Sequence, residues 1–351
     1  RLTRRNANPC DGEAFYNLGL CLRYVCRDDE AYDSFYKATW NQPWAAAGYN
    51  ALAEIDCTRK HWTAALGHLN HSLGFDTDNL RARNLKVIVL RKLNRPDEAD
   101  ELLRQTLKLD PLDWWARHLD GEYLGCDLQT QLDIVHDCAR AGFFDEAIDI
   151  LKNAAAEPRD LPDQSLGALP MIYYTLGWLR EKIRDKKFAL EFYKRAASRS
   201  PDHCFPSRLE EIAILGSAMR ANPNDARAPY YLGNLFYDRH RHEEAIRLWE
   251  KSAILDPRFS IVWRNLGIGY FNVRKQPTQA RTAYDRAFKA NSADARLLYE
   301  RDQLWKRLGT QPEKRLRELE KFPDLVQQRD DLSIELCALY NQTGQHEKAA
   351  Q

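Results

Sequence analysis

The fold is decided by the stretch Ala226–Phe259, which reads ARAPYYLGNLFYDRHRHEEAIRLWEKSAILDPRF. Small and apolar residues recur in it at the spacing of one helix face, first in one run and then, after the polar turn around His240, in a second. A proline ends the second run, as expected at the close of a helix. The residues that carry this pattern are Leu232, Gly233, Phe236, Ala245, Trp249 and Pro257. The stretch therefore predicts two antiparallel helices that approach closely where the side chains are small.

The same pattern returns at intervals of about 34 residues, a period typical of stacked helix pairs. Regular repeats are predicted at Gly12–Ala45, Ala46–Asn79, Leu80–Asp113, Leu128–Leu161, Pro170–His203, Ala226–Phe259 and Ser260–Asp294. A further repeat begins near Asp330 and is cut off at Gln351. Because each helix pair can bury its apolar face only against its neighbours, the chain is predicted to form an all-α solenoid.

Several segments interrupt the period. They are a lone helix at Trp114–Leu124, a proline-containing loop at Glu157–Leu169, an extra helix at Pro206–Ala221 and a degenerate helix pair at Ala295–Pro323. The predicted order is an N-terminal extension (1–11), three repeats (12–113), an extra helix (114–127), two repeats with the loop between them (128–203), an extra helix (204–225), two regular repeats (226–294), the degenerate pair (295–329) and a truncated repeat (330–351).

The repeated Leu-Gly, Ala, aromatic and Pro positions resemble the tetratricopeptide repeat over nearly the whole chain. That resemblance implies a right-handed superhelix whose first helices line a concave groove. Three phrases, FPSRLEE at 205–211, RNLG at 264–267 and QRDDL at 328–332, also resemble long bacterial tetratricopeptide proteins whose array follows an N-terminal β-rich domain similar to those beside sugar-acting enzymes. The first residue is not methionine and the last repeat is incomplete, so we expect a piece of a longer protein.

Composition narrows the classes of partner. The 52 basic and 51 acidic residues give a net charge of +1, which lacks the electrostatic footprint of a nucleic-acid-binding protein. No apolar run approaches the roughly 20 residues that cross a bilayer, so no membrane partner is expected. The eight cysteines form no C-x-x-C pair, which favours free thiols in a reducing, cytoplasmic compartment. Cys138 and Cys337 are predicted to face inward as small apolar residues.

Catalytic and metal-binding patterns are weak. His68 and His71 lie three residues apart on a predicted helix, but no third ligand follows at a matching interval, and a tetrahedral site needs three or four. The acidic pairs, such as Glu243 with Glu244, lie at helix starts, where carboxylates cap free amides. No phosphate-binding loop, dinucleotide fingerprint or nucleophile elbow occurs. We therefore expect neither a cofactor nor an active site within this segment.

The family's concave groove supplies the candidate binding residues. In this register the groove positions are Tyr16, Arg23, Asn50, Arg81, Asn84, Tyr174, Trp178, Tyr230, Asn234, Tyr237, Arg264 and Asn265. The site is predicted at Tyr230, Asn234, Arg264 and Asn265, with Tyr174 and Trp178 as a neighbouring aromatic wall. Amides, arginine and aromatic rings suit an extended peptide, and an oligosaccharide is the alternative ligand. A clamp for a terminal carboxylate is disfavoured because Tyr230 replaces the lysine of the family's motif.

The leading functional hypothesis is a non-catalytic scaffold that holds a protein or peptide in this groove. The alternative is a carbohydrate-associated module of a larger bacterial enzyme or sensor. A third hypothesis is an end-to-end homo-oligomer, because the truncated repeat leaves Leu336 and Tyr340 poorly covered and solenoids need polar terminal caps.

Overall fold

The computed structural model describes residues 12–156 and 167–350. Within those ranges the chain forms 21 helices and no strand, so the predicted all-α fold of antiparallel helix pairs is confirmed. The chain divides into two compact units, Arg1–Cys204 (unit 1) and Phe205–Gln351 (unit 2). The predicted extension at 1–11 and most of the loop at Glu157–Leu169 lie outside the described residues.

Unit 1 consists of successive helix pairs with one short helix between the third and fourth. Its helices are α1 (Glu13–Tyr24), α2 (Asp28–Ala38), α3 (Gln42–Thr58), α4 (Trp62–Phe75), α5 (Leu80–Lys92), α6 (Pro96–Leu109), α7 (Trp114–Leu119), α8 (Leu128–Arg140), α9 (Phe144–Ala156), α10 (Leu169–Lys182) and α11 (Lys186–Ala197). Each helix packs mainly on its chain neighbours, and α8 also contacts α3.

Unit 2 begins with a single helix and continues as pairs. Its helices are α12 (Leu209–Ala221), α13 (Arg227–Asp238), α14 (His242–Leu255), α15 (Ser260–Asn272), α16 (Pro277–Ala290), α17 (Ala295–Arg307), α18 (Pro312–Leu319), α19 (Pro323–Gln327), α20 (Asp330–Gln342) and α21 (His346–Ala349). Leu336 and Tyr340 are partly buried and pack on the core of this unit. None of the helices in the described ranges is both long and apolar enough to cross a lipid bilayer.

The turn inside each helix pair contains a residue with positive φ. These residues are Cys26, Lys60, Asn94, Gly142, Arg184, His240, Lys275, Gly309 and Gly344. In the first turn, Cys26 donates its N–H to the carbonyl of Arg23 at 3.0 Å and Arg27 donates to Leu22 at 2.9 Å. This paired closure satisfies the last carbonyls of a helix and reverses the chain. The turns therefore set the antiparallel pairing locally.

Small residues at one repeat position bring the two helices of a pair together. A Cβ added to Gly19, Gly177, Gly233 or Gly267 would lie 2.4–2.6 Å from a ring atom of Phe35, Tyr193, Trp249 or Tyr284, respectively. In each case the glycine is on the first helix and the aromatic ring on the second. The close approach predicted from the Leu-Gly pattern is thus made against an aromatic side chain.

Three details differ from the expectations. The lone helix ends at Leu119 rather than Leu124, because Gly121 adopts φ 92° and closes the helix end. The extra helix starts at Leu209 rather than Pro206, because the Glu211 carboxylate accepts hydrogen bonds from the N–H groups just before the helix.

The prediction for Cys337 was wrong, whereas Cys138 is buried as expected. Cys337 is exposed because Glu335 and Leu339, each two residues away, occupy the buried face of α20. Residues two apart on a helix point in nearly opposite directions.

Candidate functional site

In unit 2, the side-chain amide of Asn234 links the first helix of one pair to the first helix of the next. Asn234, on α13, accepts a hydrogen bond at 3.0 Å from the indole N–H of Trp249 and another at 3.0 Å from the side-chain amide of Asn265 on α15. Asn234 and Asn265 are both half-buried. The structure therefore brings these two predicted site residues into contact, and the Asn265 carbonyl oxygen is left with acceptor capacity.

Arg264 is held by a carboxylate from the next pair. Its Nε and Nη2 donate to Glu300 on α17 at 2.7 and 2.6 Å, and Arg296 donates to the same carboxylate at 2.9 Å. The Tyr284 hydroxyl lies 3.3 Å from it. Burial opposes ionisation of Glu300, but the hydrogen bonds from Arg264 and Arg296 hold its pKa below the usual value. Burial and the Glu300 charge raise the pKa of Tyr284, so its hydroxyl stays a donor.

We expect this pair to make unit 2 sensitive to acid. Because Glu300 has a lowered pKa when folded, its contribution is present above the ordinary value of 4.5 and is lost as pH falls through the folded value. Glu300→Gln should lower the free energy of unfolding by about 1.5–3 kcal/mol at neutral pH. The gap between variant and parent should narrow on acidification. Chemical denaturation of both proteins at pH 7 and pH 3.5 measures this difference in the free energy of unfolding. A difference that does not change with pH would contradict a stabilising role for ionised Glu300.

A cleft opens beyond this ion pair, between the carboxyl-terminal halves of α15 and α17. Its volume is about 250 Å³. The side chains that line it include Phe271 and Asn272 from α15 and Tyr299, Gln303 and Arg307 from α17. Glu300 marks the end of the cleft nearest Arg264. With Tyr284 from α16, the cleft therefore combines three rings, two amides, the Glu300 carboxylate and a guanidinium group.

Arg307 differs from the other arginines of this surface. It is exposed, and no carboxylate in the ranges 12–156 and 167–350 forms an ion pair with it. Arg264 and Arg296, in contrast, both contact Glu300. Among the residues around the cleft, Arg307 is thus the guanidinium group that can meet an incoming carboxylate without displacing an internal partner.

Two of the three aromatic residues of the predicted site are buried in the protein core. The side chains of Tyr174 and Tyr230 are 0% and 5% exposed, and Tyr230 packs against Phe259 with ring centroids 4.8 Å apart. Trp178 is half-buried, with Lys182 over its ring at 4.9 Å. Tyr174 and Trp178 belong to unit 1 and the remaining predicted site residues to unit 2. Tyr174 and Tyr230 therefore contribute to the cores rather than to accessible surface.

The groove positions predicted in unit 1 are occupied by internal contacts. Arg23 donates to Glu54 and to the backbone carbonyl of Arg140, and Arg81 lies 3.4 Å from Asp137. Tyr16 and Asn84 are likewise enclosed, and Asn84 donates to Asp113 at 2.6 Å. The contacts with Asp137 and Arg140 bring α8 onto α1, α3 and α5. Sequence reasoning missed Arg140 because 117 residues separate it from Arg23.

The histidines on α4 are engaged with aromatic and acidic neighbours. His68 Nδ1 lies 2.8 Å from the buried Asp56 carboxylate, and the ring of Tyr49 stacks on both His68 and His71. Nowhere in the described ranges do three His, Cys, Asp or Glu side chains come together in a way that could hold a metal ion. His68 is thus engaged in packing on α3, whereas His71 is exposed beside the ring of Tyr49.

Two family models match the helix pairs directly. Tetratricopeptide-repeat models match residues 172–203, which cover most of α10 and all of α11, and residues 212–258, which cover most of α12 and all of α13 and α14. The matched pairs contain the Gly177–Tyr193 and Gly233–Trp249 contacts described above. The chain is a tetratricopeptide-repeat protein. Stacked repeats of this kind provide extended binding surfaces, which supports a protein-interaction scaffold in general.

Solved structures that resemble this tetratricopeptide-repeat protein include three of MamA. The structure of MamA residues 41 to the end from Desulfovibrio magneticus RS-1 is 17% identical, covers 59% of this chain and 99% of its own, and has a TM-score of 0.32. The MamA RS-1 ArsTM double mutant is 18% identical, with the same coverage and a TM-score of 0.33. A further MamA crystal structure is 20% identical over 58% and 92% of the two chains, with a TM-score of 0.24. TM-scores this low do not establish a shared arrangement of the helices.

Proposed function

We propose that this protein is a non-catalytic scaffold that holds an extended segment of a partner protein in the cleft between α15 and α17. The observation that carries the proposal is the cleft itself, which joins aromatic, amide and guanidinium groups in about 250 Å³ of open space. Aromatic rings offer contact area at low entropic cost, and amides bond a peptide backbone as donors and acceptors.

The polar groups suggest how the segment would lie. Asn272 is exposed at one side of the cleft, and Gln303, although it donates to Glu335 at 3.1 Å, keeps its carbonyl oxygen as an acceptor. These two amides face a backbone from opposite helices. Arg307, the last residue of α17, pairs with an acidic side chain of the bound segment.

The predicted residues Asn234, Arg264 and Asn265 form the other end of this proposed site. Arg264 is fixed by Glu300 and offers its remaining N–H groups to the bound segment. The side-chain oxygen of Asn265 accepts a hydrogen bond from a backbone N–H of that segment. Tyr230 supports Asn234 from the core and makes no ligand contact in this proposal. Trp178 is a separate candidate contact on unit 1.

We expect Arg307→Ala to weaken binding of acidic peptides about tenfold, the effect of losing one charge-assisted hydrogen bond of about 1.5 kcal/mol. The probe is a set of fluorescein-labelled heptapeptides whose central residue is Glu or Gln, measured by fluorescence anisotropy. The preference for Glu over Gln should disappear in Arg307→Ala.

The matched control is Arg258→Ala, which removes an exposed arginine of the same unit from the turn before α15. It should leave peptide binding unchanged. Equal losses in both variants would show a general charge effect and contradict the cleft. A panel of oligosaccharides is measured in parallel by thermal shift, and stabilisation by sugars with no response to peptides would overturn the peptide proposal.

A further inference from the structure

A second cavity lies in unit 1, where the repeat period is interrupted. It measures about 350 Å³ and is bounded by α5, α7, α8 and α9. In a regular pair, the second helix covers the first. The short helix α7 is followed by the non-helical segment 120–127 instead. The side of α7 that faces α8 and α9 is therefore not covered by a second helix of its own pair. The cavity is thus a consequence of the missing second helix.

The floor of the cavity is apolar. It is formed by Ile88 of α5, Trp115 and Leu119 of α7, and Ile150 of α9. Trp115 and Ile150 are buried, whereas Ile88 and Leu119 are half-buried and border the opening. Small-molecule sites typically begin near 300 Å³, and a cavity of about 150 Å³ already takes up benzene. This cavity therefore has room for a fused two-ring body and a small polar group.

The rim carries two cations in solvent-exposed ion pairs. Arg91 lies 3.3 Å from Asp100 and donates to the backbone carbonyl of Leu119 at 2.9 Å, and Lys92 lies 3.4 Å from Glu146. All four side chains are more than a third exposed, so these pairs contribute little to stability and exchange readily with another anion. Glu146 is the one acidic residue among the side chains that line this cavity, and Asp100, the partner of Arg91, lies outside the lining.

His118 completes the rim without adding charge. Burial lowers the pKa of His118, so the imidazole is neutral at pH 7. The positive charge at the opening therefore comes from Arg91 and Lys92, which stand on successive residues at the end of α5. Both cations line the same cavity as the apolar floor, so one ligand can reach the cations with a carboxylate and the floor with a ring.

We propose that this cavity binds a small aromatic carboxylate, with its ring against Trp115 and Ile150 and its carboxylate at Lys92 and Arg91. The argument rests on the cavity volume, the apolar floor and the cationic rim. It involves unit 1 alone and is independent of the peptide cleft proposed in unit 2.

The experiment compares two probes that share a ring and differ in charge. Isothermal titration calorimetry on the whole chain is run with indole-3-acetate, and tryptamine serves as the cationic counterpart. We expect saturable binding of indole-3-acetate and at least tenfold weaker binding of tryptamine. Absence of indole-3-acetate binding at millimolar concentration, or equal binding of both probes, would overturn the proposal.

Variants test the location. Lys92→Gln should weaken indole-3-acetate binding about tenfold, as expected for one lost charge-assisted contact, and Arg104→Gln, which removes an exposed cation from α6, should not. Ile88→Trp should block binding by filling the cavity, with helicity checked by circular dichroism. If Ile88→Trp does not fold, the Lys92 and Arg104 pair decides alone. Equal effects of those two variants would place the probe elsewhere.

Discussion

Replacing Arg315 by methionine is expected to lower the free energy of unfolding by about 3–5 kcal/mol. Arg315 is 2% exposed and donates to Asp302 at 2.9 and 2.5 Å and to Glu335 at 2.6 Å. Its removal leaves Asp302, itself 3% exposed, as a buried carboxylate without its cation. Asp302 lies on α17, Arg315 on α18 and Glu335 on α20, so the loss should loosen the packing among three helices.

Urea denaturation monitored by circular dichroism measures this effect. The control is Arg241→Met, which breaks the exposed pair with Glu244 and should change stability little. The triple variant Arg315→Met, Asp302→Leu, Glu335→Met should recover part of the loss, because it leaves no carboxylate of this group buried alone and because Lys306, which also bonds Glu335, is solvent-exposed. A loss in Arg315→Met no larger than in the control would show that the buried ion network is dispensable.

Gly19→Ala is expected to lower the free energy of unfolding by about 1–3 kcal/mol through overpacking. The added Cβ would lie 2.6 Å from Cε1 of Phe35, closer than any relaxed contact. Alanine is the better helix former by about 1 kcal/mol, so steric strain must exceed that gain for the variant to be destabilised. The sign of the change therefore reports the close approach directly.

Gly74→Ala is the matched control. Gly74 lies on α4 of the same unit, and an added Cβ there has no neighbour within 4 Å. This change should stabilise by about 0.5–1 kcal/mol. Replacing the ring with a smaller side chain, Phe35→Leu, should reduce the destabilisation caused by Gly19→Ala in a double-mutant cycle. If Gly19→Ala and Gly74→Ala both stabilise, the glycine position does not set the helix spacing.

The prediction of helix pairs from sequence succeeded because its signals are local. The spacing of Leu232, Gly233 and Trp249 lies within one repeat, and helix periodicity, capping and turns act over a few residues. The small residues also indicated where two helices touch. Irregular ends were harder, as at Leu119 and Leu209, because single backbone contacts decide them.

The candidate site was predicted less completely. Asn234, Arg264 and Asn265 do lie near one another, but Tyr230 and Tyr174 are core residues. Register alone assigns each residue to a helix face, and the boundary between a buried and an open face depends on how far the neighbouring helix covers it. Phe271 follows the predicted Arg264 by about two helical turns on α15, whereas Tyr299 and Arg307 lie on α17, for which no groove position was predicted. No acidic residue lies three or four positions from Arg307 in the sequence, but the same is true of Arg264, so this spacing does not distinguish the free arginine from the paired one.

The sequence by itself determined the repeated helix pair, its turns and the glycine-to-aromatic contacts, because each depends on residues within a single repeat. The tertiary structure alone decided which charges of different repeats are paired. Glu300 lies 36 residues from Arg264, and Glu54 lies 31 residues from Arg23. Hydrogen bonds act over about 3 Å of space regardless of chain separation. Which arginine stays free to meet a partner therefore follows from the packing of neighbouring repeats, which no single repeat encodes.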